Sequence, residues 1–118
     1  MMDGFLNILK PPGMSSHDVI GAVRKVLRMK RVGHAGTLDP AAAGVLPVAV
    51  GQAARLIEYL ELADKTYRAE LTFGFATDSG DDTGKITEEV ADFAMPSQQA
   101  IEHVLLDFTG KIRQTPPA

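Results

Sequence analysis

Apolar and polar residues recur along the first part of the chain in patterns that predict a strand and a helix. Residues 5–9 form a short apolar run closed by Lys10 and a proline-rich turn, as is typical of a strand that ends in a turn. Ser15 with Asp18 three residues later resembles a capping box. The apolar residues that follow recur at helical spacing, namely Val19, Ile20, Val23, Val26 and Leu27. We therefore expect a strand, a turn and an amphipathic helix.

The middle of the chain predicts a loop, a strand and a second helix. Residues 33–40 contain two glycines and a proline, which favour a loop. Residues 45–50 are typical of a buried strand, although Pro47 favours an edge or bulged position. Residues 53–62 predict a helix with one apolar side, formed by Leu56, Ile57 and Leu60.

In the last part of the chain, apolar and polar residues alternate most regularly over residues 65–75. This alternation predicts a strand with an apolar face that includes Tyr67. Residues 86–90 follow a polar loop and are predicted to form the hairpin partner of this strand. Ser97 is expected to begin a last helix with Ile101, Val104, Leu105 and Phe108 facing inward, and Gly110 to end it. Residues 111–118 resemble a strand that enters a proline turn. Together these elements predict an α+β fold with a mixed, mainly antiparallel sheet and helices packed against it.

Composition narrows the class of protein. The chain has 118 residues, 45% of them apolar, and its length fits one globular domain. It contains no cysteine, so disulfides, thiol nucleophiles and cysteine-based metal sites are excluded. The N-terminus lacks the pattern of a signal peptide, and the longest apolar run, residues 41–50, is too short to cross a bilayer. We expect a cytoplasmic protein with no membrane partner.

Charge is distributed unevenly along the chain. The net charge is -3, with 12 basic and 15 acidic residues. Residues 1–34 carry six basic and two acidic residues, whereas residues 35–118 carry six basic and thirteen acidic. A basic cluster falls just before the glycine-rich loop, and its members are Arg24, Lys25, Arg28, Lys30 and Arg31. This basic cluster could contact the phosphates of a nucleic acid, or it could be a solvated helix face.

Spacing excludes several kinds of site. Asp78, Asp82 and Glu89 match three positions of a calcium loop, but Thr83 stands where that loop requires glycine. The three histidines share no metal-ligand spacing, so we expect no metal. The remaining candidate for a functional site is the loop with Asp39, which lies between the glycines of the loop and Pro40. An aspartate before a proline is commonly a turn former, whereas flanking glycines allow close approach of another molecule.

Five short motifs along the chain resemble, in the same order, those of one known protein family. Residues 34–47 read HAGTLDPAAAGVLP, similar to the family signature H-x-G-x-L-D-P-x-A-x-G-x-L-P. Residues 10–16 resemble its K-P-x-G-x-[ST]-S opening, and residues 65–67 its K-x-Y strand. Residues 73–81 resemble its F-G-x-x-T-D-[ST]-x-D loop, and residues 114–118 the start of its Q-x-P-P-x-[YF]-S-A segment. In these motifs and their order the chain resembles the TruB family of RNA pseudouridine synthases, and the resemblance covers essentially the whole chain.

The resemblance implies an isomerase that converts a uridine in RNA to pseudouridine without a cofactor. It implies that Asp39 is the catalytic carboxylate, acting on a base flipped out of the RNA stack, and that Tyr67 packs against this base. His34 would contact the RNA backbone beside the flipped base, together with Gly36, Thr37 and Leu38. Lys10 and Pro11 would brace the active site. The resemblance also raises the expectation that the basic cluster contacts phosphate.

The resemblance further implies that residues 1–118 are the N-terminal portion of a longer catalytic domain. The rest of that domain, with an arginine partner for Asp39, and a C-terminal RNA-binding domain are absent, so we expect the isolated chain to be inactive. The expected substrate is the uridine at position 55 of the tRNA T-arm stem-loop, bound by a monomer. A guide-RNA-dependent relative and a non-catalytic RNA-binding or tRNA-folding module remain alternatives.

Overall fold

The computed structural model describes residues 2–116 and contains two compact units, one ending at Tyr67 and one beginning at Arg68. The first unit comprises β1 (Gly4–Lys10), α1 (Ser16–Leu27), β2 (Val32–His34), β3 (Gly44–Val50), a 3-10 turn (Gly51–Leu56) and α2 (Ile57–Leu60). The second comprises β4 (Phe75–Thr77), β5 (Ile86–Glu89), α3 (Gln98–Leu105) and a 3-10 turn (Leu106–Phe108). Each strand pairing in the described part is antiparallel, which confirms the expected α+β class.

The core of the first unit lies between α1 and one face of a three-stranded sheet. The strand order is β1-β3-β2, and Leu6 stands opposite Val48. Side chains on β1 alternate between the two faces, as the period of two requires. The fully or nearly fully buried members of the core are Val19, Ile20, Val32, Leu46, Val48 and Val50. The predicted first strand is therefore confirmed.

Helix α1 begins with the predicted capping box. The Ser15 hydroxyl accepts a hydrogen bond from the Asp18 backbone N–H (3.0 Å), and the Asp18 carboxylate accepts one from the Ser15 N–H (2.9 Å). These hydrogen bonds lower the pKa of Asp18, the bond to the Ser15 backbone most of all. The buried stripe is shorter than the periodicity predicts. Val26 shares the angular position of Val19 about 10 Å farther along the axis, yet it is 79% exposed.

Pro47 lies in the central strand of the sheet, so the expected edge or bulged position is wrong. In an antiparallel strand the N–H and C=O of one residue point to the same side. The Pro47 carbonyl accepts a hydrogen bond from the Ala35 N–H (2.9 Å), so its missing donor faces β2 and not β1. Because β2 ends at His34, its pairing stops where Pro47 could no longer donate.

The strand predicted at residues 65–75 is wrong, apart from its last residue. Residues 64–73 form neither helix nor strand, and β4 begins at Phe75. A strand needs a neighbour to satisfy its backbone groups, and within the described residues none pairs with this segment. The apolar face that alternation predicted is accordingly exposed. The helix predicted at residues 53–62 is split into the 3-10 turn and the short α2.

The second unit contains the predicted hairpin and the predicted last helix. β4 pairs with β5, and the register shifts between Ala76 and Thr77. Ser97 caps α3 by accepting a hydrogen bond from the Ala100 N–H (3.1 Å). The expected inward face is only partly correct, because Ile101 is half-buried whereas Val104, Leu105 and Phe108 are exposed. No strand forms over residues 111–116, and the last two residues of that prediction lie outside the described part.

Candidate active site

Lys10, the last residue of β1, is fully buried beside the loop that contains Asp39. Its ammonium group donates hydrogen bonds to the carbonyls of Pro11 (2.9 Å), Met14 (2.6 Å) and Pro40 (3.2 Å). A lysine ammonium has three N–H donors, and all three are used. A lysine at a strand end is ordinarily exposed, so this burial is a structural observation that composition could not provide.

Ser16, the first residue of α1, holds the residue before Asp39. Its hydroxyl donates to the Leu38 carbonyl (3.0 Å) and accepts from the Leu38 N–H (2.9 Å), and its side chain is buried. The capping pattern identifies Ser15 as the helix cap, and Ser16 is the last residue of the motif at residues 10–16, but neither pattern indicates what Ser16 contacts. Only the fold, which brings the start of α1 against the loop, identifies this contact.

The backbone around Asp39 is held on both sides. The Gly13 N–H donates to the Pro40 carbonyl (2.7 Å), in addition to the bond from Lys10. The Ala42 N–H donates to the carbonyl of Asp39 itself (3.0 Å), which closes a turn. The Asp39 side chain is nevertheless exposed. The arrangement therefore presents a solvent-accessible carboxyl group on a backbone tied to β1 and α1.

The beginning of the loop is fixed by its own contacts. His34 ends β2 opposite Val48, and its Nδ1 forms a hydrogen bond with the Gly36 carbonyl. Gly36 adopts a φ of +76°, a left-handed conformation that favours glycine. Thr37 is exposed, whereas the Leu38 side chain packs against the core. The peptide therefore turns outward at Thr37 and is anchored again one residue later.

Tyr67 lies at the end of the first unit, and its side chain is 69% exposed. Its expected strand is absent, so the ring does not belong to a packed apolar face. Lys65, two residues before Tyr67, lies close to the loop that contains Gly36. Its Cε lies 3.9 Å from the position that a Cβ on Gly36 would occupy. Residue 65 thus lies beside the glycine turn, although no hydrogen bond of Lys65 goes to the loop in the described residues.

The basic cluster is exposed throughout, but two of its members also form contacts within the chain. Arg24 donates to the Val32 carbonyl (3.0 Å), and Arg31 to the Gln52 side chain (3.3 Å). Arg28 ends α1 in the left-handed conformation, with φ of 54°. Lys25 and Lys30 belong to the same basic cluster and are also exposed. The Arg24 guanidinium therefore connects α1 with β2, whereas the Arg31 guanidinium contacts the 3-10 turn Gly51–Leu56.

The acidic loop 78–82 is organised by its own hydrogen bonds. Asp81 accepts from the Thr83 hydroxyl (2.6 Å), the Ser79 hydroxyl (2.7 Å) and the Thr83 N–H (2.9 Å). Asp78 accepts from the Lys85 N–H (2.9 Å). The carboxylates of Asp78 and Asp81 are thus bound by backbone and hydroxyl donors of their own loop region. Across residues 2–116, no group of three or more acidic or histidine side chains could hold a metal ion.

The family model described as "TruB family pseudouridylate synthase (N terminal domain)" matches residues 24–118. The chain belongs to the TruB family. Its relatives include proteins named tRNA pseudouridine synthase B from Carboxydothermus hydrogenoformans (61% identical), Heliobacterium mobile (56%) and Bacillus licheniformis (47%). Each alignment covers 98–99% of this chain but only 37–40% of the relative. This TruB-family chain thus spans about two fifths of the length of those relatives.

Parts of this TruB chain are also similar to solved structures. One is an H/ACA ribonucleoprotein bound to a substrate RNA containing 2′-deoxyuridine, with a TM-score of 0.47 and 47% identity over 48% of this chain and 18% of that one. Another is a Cbf5–Nop10–Gar1 complex, with a TM-score of 0.46 and 47% identity over 47% of this chain and 17% of that one. Separately, no helix among residues 2–116 is long and apolar enough to cross a membrane.

Proposed function

We propose that this chain forms the N-terminal portion of a TruB-type catalytic domain that converts a uridine in tRNA to pseudouridine. The proposed substrate is the uridine at position 55 of the T-arm stem-loop, and the proposed catalytic carboxylate is Asp39. The observation that carries the proposal is the exposed carboxyl group of Asp39 on a loop whose flanking residues are tied to Ser16 and Lys10. Its monomeric state and cytoplasmic location stay predictions from the sequence.

The reaction breaks the N1–C1′ bond of the uridine, turns the base and forms a C5–C1′ bond. A proton leaves C5 and a proton is gained at N1, so atoms and electrons balance without an external reagent. The enzyme must hold a carboxylate beside the sugar and base while the base turns. An exposed aspartate on a fixed backbone can meet a base that has left its stack. A buried turn-forming aspartate could not.

Other residues of the chain have proposed roles that complete this site. Tyr67 would pack against the flipped base, and its exposed ring leaves one face available for stacking. His34, beside Gly36 and Thr37, would contact the RNA backbone. The basic cluster would contact phosphates, with Lys25 and Lys30 extending into solvent. Pro11 would support the site through its carbonyl, which accepts a hydrogen bond from Lys10.

The test uses a chimera, in which this chain replaces the aligned segment of the Carboxydothermus hydrogenoformans relative. Asp39→Asn in the chimera should lower the release of C5 tritium from labelled T-arm RNA by about 10³-fold or more. RNA affinity should stay nearly unchanged, because the amide keeps the size of the side chain. The matched control is Asp82→Asn, the same change at an exposed loop position to which we assign no role in the reaction.

Three results would contradict the proposal. Substantial turnover by Asp39→Asn would show that another group supplies the chemistry. A folded parental chimera that binds T-arm RNA but releases no tritium would favour a non-catalytic RNA-binding or tRNA-folding module. Turnover only with an added guide RNA would favour the guide-dependent relative.

A further inference from the structure

Ser16 makes two hydrogen bonds with one residue of the loop. Its hydroxyl accepts from the N–H of Leu38 at 2.9 Å and donates to the C=O of the same residue at 3.0 Å. A serine hydroxyl has one donor and two acceptor lone pairs, so it can satisfy both backbone groups at once. The side chain is only 3% exposed, which excludes water as a ready substitute for either bond.

These two bonds fix the peptide groups on both sides of Leu38. The Leu38 carbonyl belongs to the peptide that joins Leu38 to Asp39, so its orientation determines how the aspartate leaves the chain. On the other side, Pro40 restricts the backbone of the residue before it. The Pro40 carbonyl is held by Gly13 and Lys10. Asp39 thus has an exposed side chain on a backbone that is held on each side.

We infer that Ser16 is a positioning residue, which holds the Leu38–Asp39 peptide so that the Asp39 carboxyl group meets the uridine. This inference rests on the proposed function of Asp39. Displacement of a reacting group by about 1 Å can lower a rate about 10²-fold. Loss of the Ser16 hydroxyl removes both bonds at once and allows such a displacement. The residue acts through Asp39 and does not itself touch the substrate.

The neighbouring Ser15 provides a matched control. Its hydroxyl accepts from the Asp18 N–H and therefore stabilises α1, but it has no hydrogen bond to the loop among the described residues. Both serines stand at the start of the same helix. A variant at Ser15 thus tests what helix stability alone contributes to turnover, and a variant at Ser16 tests the contact with the loop.

In the chimera, Ser16→Ala should lower kcat about 10- to 100-fold, with KM and T-arm RNA affinity nearly unchanged. Ser16→Thr, which keeps the hydroxyl, should recover most of this loss. Ser15→Ala should keep the parental kcat. If Ser16→Ala does not fold, the near-isosteric Ser16→Cys replaces it, and its weaker hydrogen bonds should lower kcat several-fold.

Amide hydrogen exchange in this chain supplies a readout that does not depend on activity. Ser16→Ala should accelerate exchange of the Leu38 N–H about tenfold or more, and Ser15→Ala should not. Parental kcat in Ser16→Ala or Ser16→Cys would overturn the inference, as would an equal loss of kcat in Ser15→Ala. If Asp39→Asn stays active, the proposed function itself fails. If Asp39→Asn is inactive and Ser16→Ala is fully active, only the inference about Ser16 is overturned and the proposed function stands.

Discussion

Lys10 shows how a single charged residue can organise a loop from the core. An isolated ammonium group in the interior costs several kcal/mol, so a buried lysine must find partners for its charge. Here three backbone carbonyls accept its three N–H groups, and one of them belongs to Pro40, directly after Asp39. Carbonyl oxygens carry a partial negative charge, but they have no formal charge and do not titrate. The lysine therefore ties the loop to β1 without placing a second carboxylate beside Asp39.

At Gly51 we expect any side chain to be strongly unfavourable. The residue has φ of +62°, and a Cβ there would lie 2.5 Å from the Met2 carbonyl oxygen and against the Asp3 carboxylate. Gly51→Ala should therefore lower the free energy of unfolding by about 2–4 kcal/mol, through backbone strain and overpacking. Urea denaturation followed by circular dichroism measures the change.

Gly21 is the matched control for this prediction, since it lies in α1 with open space around its Cβ position. Alanine favours a helix over glycine, so Gly21→Ala should raise the free energy of unfolding by about 0.5–1 kcal/mol. The two substitutions are chemically identical and should act in opposite directions. Equal effects at both positions would mean that the chain does not hold Gly51 in this conformation.

At the scale of elements, the site is a junction of β1, α1 and the loop before β3. The turn after β1 supplies Gly13, the first residue of α1 supplies Ser16, and the loop supplies the carbonyls they bind. The pairing of β1 with β3 brings Lys10 opposite Gly44, at the far end of the same loop. Regular elements thus hold both ends of a segment that has no regular structure of its own.

The loop between β4 and β5 should depend on pH through Asp81. Hydrogen bonds from the Thr83 hydroxyl, the Ser79 hydroxyl and the Thr83 N–H lower the pKa of Asp81 below its ordinary value of 3.8. A lowered pKa in the folded state means that the ionised carboxylate stabilises the loop. This stabilisation is complete above the ordinary pKa and is lost as the pH falls through the lowered one.

The Thr83 amide proton reports this titration in NMR spectra recorded from pH 6 down to about pH 2. Its chemical shift should change with a midpoint below 3.8 and should stop responding in Asp81→Asn. Asp82→Asn is the control and should leave the midpoint in place. A midpoint at or above 3.8 would mean that the three hydrogen bonds do not favour the ionised form.

Local sequence signals predicted the elements whose partners are close in the chain. The Ser15–Asp18 capping box and the Ser97 cap each depend on residues three positions apart, the β4–β5 hairpin joins strands that follow each other in the chain, and each is present. Residues 65–74 were predicted wrongly because alternation describes what a strand would bury, not whether a neighbour exists to pair with it. The Ser16–Leu38 contact joins residues 22 positions apart, and no local pattern contains it.

At the scale of the whole molecule, charge and apolar exposure are both uneven. The net charge is -3, so the proposed contact with RNA phosphates would depend on the local excess of basic residues in 1–34 and not on the total. The outer face of the β1–β3 pair carries large exposed apolar side chains, with Leu9 at 75% and its partner Val45 at 61% exposed. A sheet face of this kind is normally covered in a stable protein.

The last prediction follows from this exposure and from the length of the relatives. The chain spans about two fifths of proteins named tRNA pseudouridine synthase B, so we expect the isolated chain to lack parts that its relatives use for turnover. The purified 118-residue chain should release no C5 tritium from T-arm RNA, while the chimera releases it readily. Circular dichroism must first show that the isolated chain is folded. Turnover by the isolated chain at a rate near that of the chimera would mean that residues 1–118 already contain every group the reaction needs.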